Sequence, residues 1–160
     1  MSHHHNTKSK KPAAVQQVIM SKEEISALPT ASFPEPGRMI GGFQTIFAAE
    51  TTPTNELTFG IAKFPAKTAE KTSFEALHCN IPAEFYYITQ GKMYLLLEGK
   101  EHRISAGDAV FIPAGAEHGF CNPSYKEELV FVWGLAVPGF DGIGIQWSEE
   151  NPDWVKVEDW

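Results

Sequence analysis

The sequence predicts an all-β fold, a sandwich or barrel of short strands entered through one short helix, and three observations carry that expectation. Aromatics make up 12% of the chain, and thirteen glycines and eleven prolines punctuate it, the composition of strands joined by tight turns. From residue 41 onward, short runs rich in aromatic and β-branched residues recur, each bounded by Gly, Pro, Asn or Asp. Only one stretch before them carries a helix-start signal. Strands spaced in this way belong to sandwiches and barrels rather than to alternating strand and helix units.

The elements follow in order. Residues 1–12 read as a disordered N-terminal arm, with the basic stretch from Lys8 to Lys11 a solvated tail and the run His3-His4-His5 set aside as weak, mobile ligands. Residues 13–56 hold the helix and the first strands. Ser21-Lys22-Glu23-Glu24 resembles a capping box and starts a short helix that ends before Pro29, and after a proline-rich passage residues 41–47 form a first strand. Residues 57–137 form the core, with strands over 57–64, 74–80, 84–89, 92–98, 101–104, 109–112, 117–121 and 128–137. Glu98-Gly99-Lys100-Glu101 reads as one hairpin turn and Ser105-Ala106-Gly107-Asp108 as a second. Residues 138–160, rich in Gly and Trp, are expected to pack over the barrel or against a partner subunit.

At 160 residues there is room for one hydrophobic core. The formal charge of -7, with no cluster of Lys and Arg among aromatics, argues against nucleic acid and anionic lipid as partners. No run is long and apolar enough for a membrane span or a secretory signal, so no membrane partner and a cytoplasmic setting are expected. Two cysteines, Cys79 and Cys121, make no disulfide framework and are read as small buried hydrophobes.

Two stretches carry chemistry. In His78-Cys79-Asn80-Ile81-Pro82-Ala83-Glu84-Phe85-Tyr86, strand alternation places His78 and Asn80 on one face with Phe74 and Ala76. Pro82 resets the parity, so that Glu84, Tyr86 and Ile88 share a face and an imidazole, an amide and a carboxylate converge. The second stretch runs from Gly107 to Asn122. Pro113 and Gly115 turn the chain back, and His118, Phe120 and Asn122 then fall on one face.

These stretches resemble the two motifs of the cupin superfamily. Gly107, Pro113, Gly115, His118 and Asn122 match every fixed position of the second motif, and His78, Glu84 and Gly91 match the first, whose opening Gly is Thr72 here and whose second His is Asn80. The resemblance covers roughly residues 57 to 137 and implies a double-stranded β-helix or jelly-roll barrel, one divalent metal at its mouth and a homodimer. It implies His78, Glu84 and His118 as metal ligands, with Asn80 a weak fourth ligand or a hydrogen-bond donor to substrate or to metal-bound water.

Two imidazoles and one carboxylate form a facial triad with open positions, which puts iron first among Fe, Mn, Ni, Co, Cu and Zn. The first functional expectation is therefore a dioxygenase acting on a small oxygenated metabolite chelated to the metal, with Glu84 and Tyr86 as catalytic residues. The alternatives are a non-redox lyase, isomerase, dehydratase or decarboxylase in which Glu84 or Tyr86 moves the proton, and a barrel that binds a small molecule without turning it over. Phe74, Met93, Leu95, Phe111, Phe120 and Trp133 are expected in the core or the pocket wall, and His102 and Glu117 outside it.

Overall fold

The computed structural model describes residues 14–160, so the N-terminal arm, with His3–His5 and Lys8–Lys11, lies outside the described residues. The chain folds as α1 (Lys22–Ser26), β1 (Met39–Ile40), β2 (Gly42–Phe47), β3 (Thr58–Phe64), β4 (Phe74–Cys79), β5 (Glu84–Gln90), β6 (Lys92–Leu97), β7 (Lys100–Ser105), β8 (Ala109–Ile112), β9 (His118–Cys121), β10 (Leu129–Leu135) and β11 (Gln146–Trp147), with 3-10 turns at Phe140–Gly142 and Trp154–Lys156. It is all-β apart from α1, whose capping box forms as the sequence implies: Glu24 N–H donates to the Ser21 hydroxyl and Ser21 N–H to the Glu24 carboxylate.

Two antiparallel sheets face each other as a double-stranded β-helix. One runs β2-β3-β10-β5-β8; the other runs β1-β4-β9-β6-β7, with β11 joining β1 on the free flank of β4. Alternation decides what fills the space between them. Ala62 and Phe64 of β3, Tyr86 and Ile88 of β5, and Leu129, Phe131 and Trp133 of β10 point inward from the first sheet. Met93, Leu95 and Phe120 meet them from the second, and the rings of Phe64 and Phe120 cross at 4.8 Å between centroids. Burial of these side chains is the main force closing the two sheets on each other.

The turn at 98–99 is a true hairpin. Glu98 and Gly99 have φ of 49° and 73°, the doubly left-handed pair that matches strand twist. The expected turn at 105–108 is a corner instead: β7 pairs with β6 and β8 with β5, so Ser105 to Asp108 carries the chain from one sheet to the other. Asp108 closes that corner by accepting the Ser105 N–H. The strand expected over 41–47 forms as β2, and the two residues of β1, just before Gly41, join the other sheet.

Two core expectations are corrected by register. Phe111 lies opposite Phe85 on the outer face of edge strand β8 and is 68% exposed. Phe74 lies on the outer face of β4, stacked on Trp154, because β4 carries a bulge.

Candidate metal centre

The site sits between the sheets at one end, where β4, β5 and β9 converge. On β9, regular alternation turns His118 and Phe120 inward, while β4 pairs Glu75 with Phe120 and His78 with His118, so two residues, Ala76 and Leu77, stand against Gly119 alone. Gly119 permits this bulge, since a Cβ there would sit about 3 Å from the backbone of Glu75, Ala76 and Leu77. The consequence is that both Glu75 and His78 face the interior, which simple alternation forbids for residues three apart.

His78, Glu84 and His118 each offer a ligand atom within 4.8 Å of the others, and all three are buried. Both imidazoles are aligned in the same way. Nδ1 of His78 donates to the Ala76 carbonyl at 2.8 Å and Nδ1 of His118 to the Ala116 carbonyl at 3.0 Å, leaving Nε2 to face the site. The rings stand 4.3 Å apart between centroids.

Their charge states differ. Burial, reinforced by the neighbouring His118, lowers the His78 pKa to about 3 and keeps the ring neutral. Burial also opposes charge on His118, but the Glu84 carboxylate, 3.1 Å from its Nε2, outweighs that and raises its pKa above the ordinary value. The Nε2 proton shared with Glu84 is the one a metal would displace.

Asn80 donates through Nδ2 to Glu84 Oε2 at 2.9 Å, and its buried Oδ1 has no hydrogen-bond partner among the described residues. Two imidazole nitrogens, a carboxylate and an unpartnered amide oxygen form a donor set suited to a divalent transition metal. Tyr86 is 2% exposed and lines the same pocket as Glu84, two residues along the strand. Burial, then the charges of Glu84 and Glu75, push its hydroxyl well above the usual phenol value.

Glu75 is the residue that alternation misses. Its carboxylate is buried, its Oε1 lies 3.6 Å from His78 Nε2, and burial followed by the Glu84 charge raises its pKa to about 8. The one signal for it in the sequence is Gly119, a glycine inside a strand, where a bulge or a close backbone approach belongs. The tail contributes as well: β11 pairs with β4 at His78 and Cys79 and brings the Trp147 ring to 5.1 Å from His78. His102 and Glu117 stay outside; Glu117 accepts from the Ser148 hydroxyl.

The pocket above these groups is lined by Phe43, Phe131, Trp133 and Phe140, which make its walls mostly apolar and aromatic. No helix among the described residues is long and apolar enough to cross a membrane.

Comparison with known proteins places these features in context. The cupin domain family matches residues 66–135. The dimethylsulfoniopropionate lyase DddW of Ruegeria pomeroyi is 30% identical over 101 residues, 63% of this chain and 62% of that protein. An uncharacterized protein of Aquifex aeolicus is 30% identical over 80 residues, half of this chain and 63% of that one. The chain thus spans a little under two thirds of the length of the curated relatives it matches. Among solved structures, the polyketide cyclase RemF of Streptomyces resistomycificus shares the fold with a TM-score of 0.64 at 16% identity, over 86% of this chain and 92% of that one.

Proposed function

Because the chain belongs to the cupin superfamily, we propose that it is a metal-dependent enzyme that moves a proton on a small organic acid, as a lyase or a related non-redox enzyme. The observation that carries this reading is Tyr86, a buried phenol held protonated beside Glu84 in an aromatic pocket. His78, Glu84 and His118 would hold the metal, which supplies Lewis-acid polarisation of a substrate oxygen.

The protein's own groups do the rest. Tyr86, whose hydroxyl burial and the Glu84 and Glu75 charges push above the usual phenol value, donates a hydrogen bond to substrate oxygen and fixes its orientation. Glu84 takes the proton from the carbon next to the substrate carboxylate, using Oε1, the oxygen that Asn80 and His118 leave free. The C–H electron pair becomes the new double bond as the bond to the departing group breaks, and that group leaves with its electron pair. The apolar walls keep water from competing.

The Ruegeria relative makes dimethylsulfoniopropionate the first substrate to test. A sulfonium would find the faces of Phe43, Trp133 and Phe140 favourable, as cations do at aromatic rings. The test is product formation under argon, with the metal-loaded protein and a panel of short β-substituted acids that includes that compound. Turnover is expected, and Tyr86→Phe should lower kcat by about 10²–10³-fold while metal content stays the same. No product from any acid would overturn the reading.

One observation favours a second reading. Three protein donors leave coordination positions for both oxygen and a chelating substrate, the arrangement of an iron-dependent dioxygenase. Oxygen uptake with enolic or phenolic compounds, absent with the acids, would select it.

A further inference from the structure

We propose that Glu75 is a fourth protein ligand of the metal, filling the coordination position that Asn80 leaves where cupins carry their second histidine. This rests on the barrel holding a metal, as the proposed function requires, and a fourth protein ligand takes one of the positions that the dioxygenase reading leaves open.

Geometry is the first support. The β4 bulge turns Glu75 inward beside His78, with Oε1 3.6 Å from Nε2. Two ligands each about 2.1 Å from one metal lie roughly 3.0–3.4 Å apart at right-angle or tetrahedral spacing, so a small side-chain rotation brings Glu75 into that shell. It lines the same pocket as His78, Asn80 and Glu84.

Charge is the second. Glu75 and Glu84 are two buried carboxylates in a pocket whose lining includes no Lys or Arg. Among the described residues His118 is the one cationic partner beside Glu84, and a divalent cation would balance both carboxylates in full. Asn80 is the third. Its Nδ2 is held by Glu84 Oε2, and its free Oδ1, a neutral amide oxygen, is a weaker donor to a first-row metal than a carboxylate. The substitution that removes an imidazole from the site and the bulge that adds a carboxylate to it therefore go together.

Cobalt(II) alone is the probe, added to the full chain carrying His3→Ala, His4→Ala and His5→Ala so that only the barrel binds. Affinity comes from chelator competition, and coordination from the visible absorption of the bound ion. Glu75→Gln keeps the side-chain shape and mimics a neutral carboxyl group. It should weaken binding by at least about 100-fold, beyond the 10–100-fold typical of a group that only supports a ligand, and should change the spectrum. Adding Asn80→His to Glu75→Gln should restore affinity to within about tenfold, because a histidine re-enters the shell. A spectrum that Glu75→Gln leaves unchanged overturns the proposal, whatever the affinity.

A crystal of the cobalt-loaded protein without the Glu75 change gives a second measurement that does not depend on how the variant folds. A Glu75 oxygen about 2.0–2.2 Å from the ion supports the proposal, and one beyond about 3 Å overturns it. If no cobalt binds to the barrel at all, the metal reading of the site falls along with this proposal, a result distinct from normal binding that ignores Glu75.

Discussion

Strands β4 and β9 lie side by side and give the site its two histidines, yet they do so by different means. β9 is regular: His118 and Phe120 alternate inward, and Gly119 and Cys121 face the other way. β4 carries one extra residue against Gly119, so Glu75 and His78 both reach the interior while Phe74 is turned out beneath Trp154. The regular strand delivers His118 in the position its pattern announces. The bulged strand delivers His78 and also a carboxylate that no pattern announces, in the stretch that ends at Asn80.

The largest expected effect separates the two phenylalanines that plain alternation would treat alike. Phe120 is fully buried among Phe64, Tyr86 and Phe131, and Phe120→Ala should cost about 3–5 kcal/mol of stability in urea unfolding. Phe74 is half-buried on the outer face, and Phe74→Ala should cost roughly 1–2 kcal/mol. Equal losses would mean that Phe74 faces the core and that β4 has no bulge.

The two asparagines of the motif stretches sharpen the contrast at the next scale. Asn122, which follows β9, is fully buried; its Nδ2 donates to the carbonyls of Phe64, Pro65 and Glu127, and its Oδ1 accepts from Ser124 N–H. It ties the end of β3 to the loop before β10. Asn122→Ala removes all four hydrogen bonds, leaving the Pro65 carbonyl its bond from the Ser73 hydroxyl, and should cost about 2–4 kcal/mol. Asn80, which follows β4, makes one side-chain hydrogen bond, to Glu84, and Asn80→Ala should cost about 1 kcal/mol or less in the metal-free protein. Chemical unfolding of the two variants checks both figures, and a loss at Asn80 as large as that at Asn122 would make Asn80 a structural residue.

This contrast also explains what could be read before the structure was in hand. The barrel was legible because its inner face obeys a period of two over most strands, as in Thr58, Gly60, Ala62 and Phe64 of β3, or Glu84, Tyr86 and Ile88 of β5. The convergence of His78, Glu84 and His118 followed from the same rule together with the Pro82 break. Glu75 and Phe74 were not legible, since a bulge depends on pairing with a strand more than forty residues away and leaves only Gly119 as a trace. The corner at 105–108 failed for a related reason: turn chemistry fixes the local bend, whereas the sheet that the next strand joins is set by tertiary pairing. Phe111 shows the limit of counting aromatics as core, because β8 is an edge strand whose outer face nothing covers among the described residues.

The smallest effect concerns the outward side of the same two strands, where each carries a cysteine. Cys121 lies on β9 between β4 and β6, is fully buried, and has its pKa pushed up to about 12 by burial. Cys79 ends β4 and is partly exposed, with β11, a strand of two residues, as its cover on that flank. Burial and the nearby Glu117 and Glu98 raise its pKa too, so neither thiol is activated and access decides the rates. In the folded protein near pH 8, iodoacetamide should label Cys79 at least about tenfold faster than Cys121, with each site read by mass spectrometry of peptides. Both should react alike once the chain is unfolded. Because β11 also carries Trp147 to His78, the Cys79 rate reports how often that flank lifts from the site. Labelling no faster than at Cys121 would mean that two residues of β11 seal β4 as tightly as β9 is sealed between its neighbours, which would remove the asymmetry between the two flanks of β4.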